Sequence, residues 1–138
     1  MIVDASVVLA LLLDEPASGA AERLLIRTDL VAPSLIVAEI GHVLTKQARR
    51  RLLSSAETLA AWRTFAALPV SVEPMEGLGE RALELSVGLN AVYYDCLYLA
   101  LAEQQDDVLV TLDERLIRAV RASDPTLATH AALLSELG

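Results

Sequence analysis

The sequence predicts an α/β domain with a short, mainly parallel central sheet flanked by helices on both faces. Three observations point to it. Short apolar runs, at residues 1–3, 30–32, 70–73 and 108–112, alternate with longer segments of helical character. Most of these runs are continuously apolar rather than alternating, as strands buried on both faces are. Hydrophobic residues make up 54% of the chain but aromatics only 4%, so the core is built from Ala, Leu and Val, side chains small enough for helices to pack closely on a sheet. A length of 138 residues suits one domain with one core, spanning 1–138.

The elements follow in order. Residues 1–3 form a strand that stops at Asp4. Residues 5–13 are too long and too rich in Leu and Ala for a second strand and predict a helix. Asp14-Glu15-Pro16 breaks it, and Pro16 opens a second helix to about residue 27. A brief strand at 30–32 leads through Pro33-Ser34 into a helix over 35–50. Ser54-Ser55-Ala56-Glu57 has the capping-box pattern and starts a helix through residue 68. Residues 70–73 alternate like a strand. Residues 76–89 are helical and end at Gly88 and Asn90. Residues 92–104 are a strongly apolar helix, 108–112 a buried strand, and Asp113 begins a helix through residue 121. The tail, 124–138, is expected to hold a short strand and then a last helix.

Composition narrows the function. One cysteine, Cys96, excludes an internal disulfide framework and fits a reducing cytoplasm. The first long apolar run, 5–13, is far too short to span a membrane. With no basic residue before it, it does not read as a signal peptide either. The expectation is a soluble, cytoplasmic protein that does not engage a membrane. The net charge of −8 argues against nucleic-acid binding through a broad basic field, because phosphates are drawn to clustered Lys and Arg. It leaves room for a nuclease in which cations stand between protein and RNA.

Four acids stand where an unremarkable sequence would place apolar residues. Asp4 and Asp113 each follow an apolar strand, at the carboxyl end where open α/β sheets form their sites. Each also lies at a helix start, so helix capping is the plainer explanation for either one alone. Glu39 and Asp95 are harder to explain that way. Glu39 projects between Leu35 and Val43 within the apolar arc of its helix, and Asp95 lies one turn before Tyr98 and Leu99 among apolar neighbours. A buried carboxylate is costly unless it is paired or binds a metal. Cationic partners are scarce: Lys46 is the only lysine, and the ten arginines lie mostly on polar faces. An all-oxygen donor set selects a hard cation, Mg²⁺ with Mn²⁺ as a substitute, rather than zinc. Such an ion acidifies water and neutralises a phosphate.

Met1-Ile2-Val3-Asp4-Ala5-Ser6, Glu39 within a helix, Tyr94-Asp95-Cys96-Leu97-Tyr98-Leu99-Ala100-Leu101-Ala102 and Thr111-Leu112-Asp113-Glu114-Arg115-Leu116 together resemble the signature of the PIN-domain ribonucleases. They are most similar to the VapC toxins of type II toxin–antitoxin systems. The resemblance covers nearly the whole chain in the family's order. It implies a magnesium-dependent endoribonuclease that hydrolyses RNA phosphodiester bonds with activated water and is silenced by a cognate protein antitoxin. It also implies a homodimer, or a larger assembly with the antitoxin. The family's acids carry over to Asp4, Glu39, Asp95 and Asp113, its hydroxyl near the first acid to Ser6, and the hydroxyl before the last acid to Thr111. An antitoxin groove is expected on the early helices, with Leu9, Leu12, Leu13, Leu24 and Leu25 as candidate lining. Cys96 and His42 depart from residues frequent in the family without removing a ligand.

Other features have plainer explanations. Cys96, set among apolar residues, reads as an inert core thiol. His42, one turn after Glu39, reads as a packing or hydrogen-bonding residue, since no second His or Cys has ligand spacing with it. Lys46, Arg49, Arg50 and Arg51 form the one basic cluster, either a solvated helix end or a clamp for RNA phosphates. Leu59, Trp62 and Phe65 share a helix face of ordinary core spacing. Two rival functions remain. A phosphoacceptor receiver domain also gathers acids and Mg²⁺ beyond a parallel sheet, but it needs a lysine after a late strand and paired acids after the first. A PIN-like scaffold that only binds partners would not need all four acids.

Overall fold

The computed structural model describes residues 1–138. Five strands, β1 (Ile2–Val3), β2 (Leu30–Pro33), β3 (Val70–Glu73), β4 (Leu109–Thr111) and β5 (Ala131–Leu133), form one sheet in the order β3-β2-β1-β4-β5. Every strand pair is parallel. The helices are α1 (Ala5–Leu12), α2 (Ser18–Arg27), α3 (Leu35–Arg49), α4 (Ser55–Ala67), α5 (Gly79–Leu89), α6 (Tyr93–Gln104), α7 (Glu114–Ser123) and α8 (Pro125–Ala128), followed by a 3₁₀ turn at Leu134–Leu137. From β1 the chain steps outward to β2 and β3, then returns past β1 to β4 and β5. Right-handed crossovers therefore put α1–α4 on one face and α5–α7 on the other. The helix packing agrees: α1 lies against α2, α3 and α4, and α5 against α6 and α7.

β1 and β4 are short because each is an apolar run followed closely by a capping aspartate, Asp4 after β1 and Asp113 after β4. Ile2, Val3, Leu109 and Val110 are fully buried at the centre of the sheet. β3 is an edge strand, and Val72 on it is half exposed. In α6 seven consecutive residues, Cys96 to Ala102, are buried. An amphipathic helix cannot do this. It follows from α6 lying against β1, β2 and β4 while α5 covers its outer side. The capping box at α4 is complete: the Ser54 hydroxyl accepts the Glu57 amide at 3.0 Å and the Glu57 carboxylate accepts the Ser54 amide at 2.9 Å. No single helix is long and apolar enough to cross a membrane.

Three expectations are corrected. α2 starts at Ser18, because Asp14 takes a left-handed conformation (φ 51°) and a turn closed by the Ser18 amide on the Glu15 carbonyl (2.8 Å) absorbs Pro16. α5 starts at Gly79 rather than Glu76. Gly77 sits at φ +82°, which glycine tolerates best, and the Leu78 amide closes a turn on Met75 (3.1 Å). In the tail an additional short helix, α8, precedes the expected strand, and the last helical turn, at Leu134–Leu137, is 3₁₀. Asp124 caps α8, and Ala131–Leu133 then adds to the open edge of β4. Of the leucines expected to line a groove, Leu24 is core, and Leu9, Leu12, Leu13 and Leu25 pack against the core while staying partly exposed. Of the shared face on α4, Phe65 is buried, Trp62 stacks edge-on against it with ring centroids 5.6 Å apart, and Leu59 is exposed.

Leu99 is fully buried and Val87 is 83% exposed. Leu99→Ala should cost about 2–5 kcal/mol through lost burial and a residual cavity. Val87→Ala should stay within about 0.5 kcal/mol of wild type. Chemical denaturation of the two variants separates them, and equal losses would show that α6 is not the core helix.

Candidate active site

One residue separates β1 from α1, and that residue is Asp4. Its backbone is still extended (φ −94°, ψ 174°), its amide reaches the Val110 carbonyl at 3.4 Å and its side chain caps the helix, so its carboxylate sits at the carboxyl edge of the sheet. It is only 7% exposed. Oδ1 accepts the Val7 amide at 3.3 Å and the Ser6 hydroxyl at 2.5 Å, and Oδ2 accepts the Thr111 hydroxyl at 2.5 Å. Each hydroxyl is itself held by the turn between β4 and α7. Ser6 Oγ accepts the Leu112 amide at 3.1 Å, and Thr111 Oγ1 accepts the Asp113 amide at 3.0 Å. Asp113 caps α7 by accepting the Leu116 amide on Oδ1 at 3.0 Å. Capping and site-building are therefore compatible: one carboxylate oxygen of Asp113 holds the helix, and the other is left without a protein donor.

Glu39 comes from the second turn of α3, and its Oε1 accepts the Tyr98 hydroxyl at 2.5 Å. Tyr98 is buried on α6, so α3 and α6 are tied by this bond. Asp95, one turn earlier on α6, is half-buried, and only burial and neighbouring charge act on its carboxylate. The four ion pairs of the protein engage the amino terminus, Arg81 twice and Arg121, and none engages these four acids.

Electrostatics links the four positions. Burial first, and then the charges of Asp113, Asp4 and Glu39, together raise the Asp95 carboxyl to about 6. Burial also raises Asp4 to about 6 against the opposing hydrogen bonds from Ser6, Thr111 and Val7, with Glu39 adding repulsion. Glu39 is raised by burial, partly offset by the Tyr98 bond. As the side chains stand, no three acids form a group able to hold one metal ion. Unneutralised carboxylates repel, and a cation would have to draw them together. Their chemistry nonetheless fits a hard divalent cation: oxygen donors only, no competing cationic side chain, and free oxygens on Asp95 and Asp113.

Two clefts open beside the acids. Asp95 and Asp113 line one of about 390 Å³ with Asn90, Val92 and Arg115, while Glu39 lines another of about 330 Å³ with His42 and Tyr94. Ser6 and Thr111 both bond to Asp4. Cys96 is wholly buried and its thiol is pushed up to about 11, first by burial and then by Asp95, which leaves it inert. His42 is exposed in the Glu39 cleft. Lys46 and Arg49 lie in the last turn of α3, about 10–15 Å along its axis from Glu39, with Arg50 and Arg51 just beyond it, and all four are exposed. Tyr98 and Arg115 were not singled out from sequence. The signal for Tyr98 was a phenol inside the apolar run from Cys96 to Ala102, since a buried hydroxyl must find a partner. For Arg115 it was a cation two residues after an acid at a strand end.

The model of the PIN domain matches residues 1–122. Ribonuclease VapC9 of Mycobacterium tuberculosis is 38% identical over 125 residues, covering 91% of this chain and 94% of the relative. Among solved structures, PAE2754 from Pyrobaculum aerophilum superposes with a TM-score of 0.73 at 25% identity, over 99% of this chain and 84% of the other. VapBC2 from Rickettsia felis, solved bound to a DNA fragment from its promoter, shares the fold with a TM-score of 0.67 at 17% identity, over 96% of each chain.

The raised carboxyls set a direction for stability. Asp4 and Asp95 titrate near 6 in the folded state and near 4 when unfolded. Between those values the folded state holds more protons, so metal-free protein should become more stable as pH falls from 7.5 toward 5. Asp95→Asn should raise the neutral-pH melting temperature and flatten this dependence in calorimetry under chelator. A melting temperature that drops steadily over the same range contradicts the reading. Thr111→Val keeps the shape but strips Asp4 Oδ2 and the Asp113 amide of their partner. The expected loss in urea unfolding is about 1–3 kcal/mol, with Thr111→Ser largely restoring it.

Proposed function

The chain belongs to the PIN-domain family, and from that premise we propose that it is an endoribonuclease, the toxin of a VapC-type toxin–antitoxin pair. The observation that carries the reading is the set of Asp4, Glu39, Asp95 and Asp113, coupled around Asp95 at the carboxyl edge of the sheet with no cationic side chain paired to them. We assign these four acids as the catalytic and metal-binding residues, with Mg²⁺ as the ion and Mn²⁺ as its substitute. A divalent cation bound there supplies Lewis-acid charge and acidifies water. Asp4, fixed by Ser6 and Thr111, orients the set, and Tyr98 holds Glu39. The free oxygens of Asp95 and Asp113 face the cleft where a phosphodiester would lie.

The reaction proposed is hydrolysis in line at phosphorus. A bond forms from water oxygen to phosphorus, the bond to the 3′-oxygen breaks, and that oxygen takes a proton. The products are a 5′-phosphate and a 3′-hydroxyl. Attack by the RNA 2′-hydroxyl would instead use protein bases such as paired histidines, and His42 has no second histidine near it: His130 binds the Asp107 carbonyl at 2.8 Å, away from the acids. We also propose a cytoplasmic setting, a cognate protein antitoxin as partner and a homodimeric toxin. The VapBC complex among the structural neighbours supports the antitoxin, and the family resemblance supports the dimer.

Asp95→Asn keeps the side chain's size and removes its charge. It should lower kcat on a single-stranded RNA by at least about a hundredfold while the melting temperature does not fall. EDTA should abolish cleavage and Mg²⁺ restore it. Cleavage that survives chelation, or that leaves 2′,3′-cyclic phosphates, would overturn the mechanism.

A further inference from the structure

The four candidate acids attract cations and repel RNA. A divalent ion answers this at the scissile phosphate, but the neighbouring phosphates of the strand need their own counter-charge. Arg115 is the cation placed to supply it. It is exposed on the first turn of α7, two residues after Asp113, and lines the cleft that Asp95 and Asp113 share. It is in none of the protein's ion pairs, whereas Arg81 and Arg121 are bound by Glu84, Glu103 and Glu136. Its guanidinium is therefore available to an incoming anion, and its planar fork suits a phosphate.

The rest of the cleft has a second character. Ala91, Val92, Leu116 and Ala119 form apolar walls, with Val92 62% exposed at the start of α6. Asn90 lies on the rim in a left-handed conformation that ends α5 (φ 51°), and its amide carries both a donor and an acceptor. A cation at one side, apolar walls within and an amide at the rim match the three parts of a nucleotide: phosphate, base face and base edge. At about 390 Å³ the space is larger than the cleft beside Glu39.

We propose that this cleft, between the α5–α6 turn and the start of α7, is the subsite for the nucleotide flanking the scissile phosphate, with Arg115 binding its phosphate. The base lies against Val92 and the neighbouring alanines, and Asn90 meets its edge. This rests on the endoribonuclease reading and adds a determinant of which RNA is cut.

The test uses the full chain and a single-stranded RNA oligonucleotide. Cleavage is followed in Mg²⁺, and affinity by fluorescence anisotropy in Ca²⁺. Arg115→Ala should raise both KM and Kd about tenfold, leave kcat within about twofold, and reduce the salt slope of log Kd by about 0.7. Arg115→Lys should keep most of the affinity. Val92→Ala, at an exposed position, should weaken binding severalfold. Arg118→Ala, one turn on and outside the cleft, should behave as wild type. Unchanged affinity and salt slope in Arg115→Ala would overturn the subsite. So would a fall in kcat at constant KM, which would place Arg115 at the reacting atoms. Wild-type protein that binds but cuts no RNA would sink the endoribonuclease reading instead, and the Arg115 comparison would still be decided by affinity.

Discussion

The site depends on how a buried carboxylate is held. Asp4 sits at 7% exposure beside other acids, a position that would drive it to the neutral form if nothing opposed its burial. Two hydroxyls oppose it, and each does two things at once. Ser6 and Thr111 donate to Asp4 and accept amides from the turn that carries Asp113. Two of these four bonds are long-range: Thr111 to Asp4, and the Leu112 amide to Ser6, join the region after β1 to the end of β4 across 107 and 106 residues of chain. The separation between the first and last acids is therefore set by hydrogen bonding rather than by packing alone.

That arrangement asks the fold to tolerate charge it does not neutralise. The acids carry no ion-pair partner, although the protein forms ion pairs readily at its surface with Arg81 and Arg121. Pairing an acid with a protein cation would stabilise the free protein and fill the place of an incoming cation. Leaving the acids open keeps part of the structure below its stability optimum, a recurrent property of functional sites. The same reasoning explains why Arg115 can share a cleft with two acids and still serve a phosphate.

The sheet order supplies the space. Strands β2 and β4 lie on either side of β1, so the connections leaving β1 and β4 depart to opposite faces and a crevice opens beyond their carboxyl ends. α6 fills the region behind it. Because α6 is buried from Cys96 to Ala102, the polar groups in and beside that stretch are conspicuous: Asp95 lines the cleft and Tyr98 reaches across to Glu39 on α3. A core helix thus positions one acid directly and a second through a phenol. The likeness to VapC9 over most of both chains, and to solved structures over nearly the whole chain, shows that this scaffold is held in common.

Much of this was legible in the sequence. Apolar runs interrupted by single acids marked β1 and β4, and the pattern Ser54 to Glu57 marked the start of α4, because these signals act within a few residues. The four acids could be picked out because each breaks a local apolar pattern. Boundaries failed where a turn and a first helical turn look alike, as at Pro16 and Glu76, and in the tail, where Ala131–Leu133 becomes a strand only because β4 offers it an unpaired edge. How deeply each early leucine is buried could not be read, because a leucine exposed on one helix and a leucine buried under the next have the same local sequence. The partners of the acids were out of reach for the same reason. That Thr111 meets Asp4, that Tyr98 meets Glu39, and that Arg115 meets no acid depend on contacts between segments far apart in the chain, which no local pattern encodes and only the assembled sheet and its helices decide.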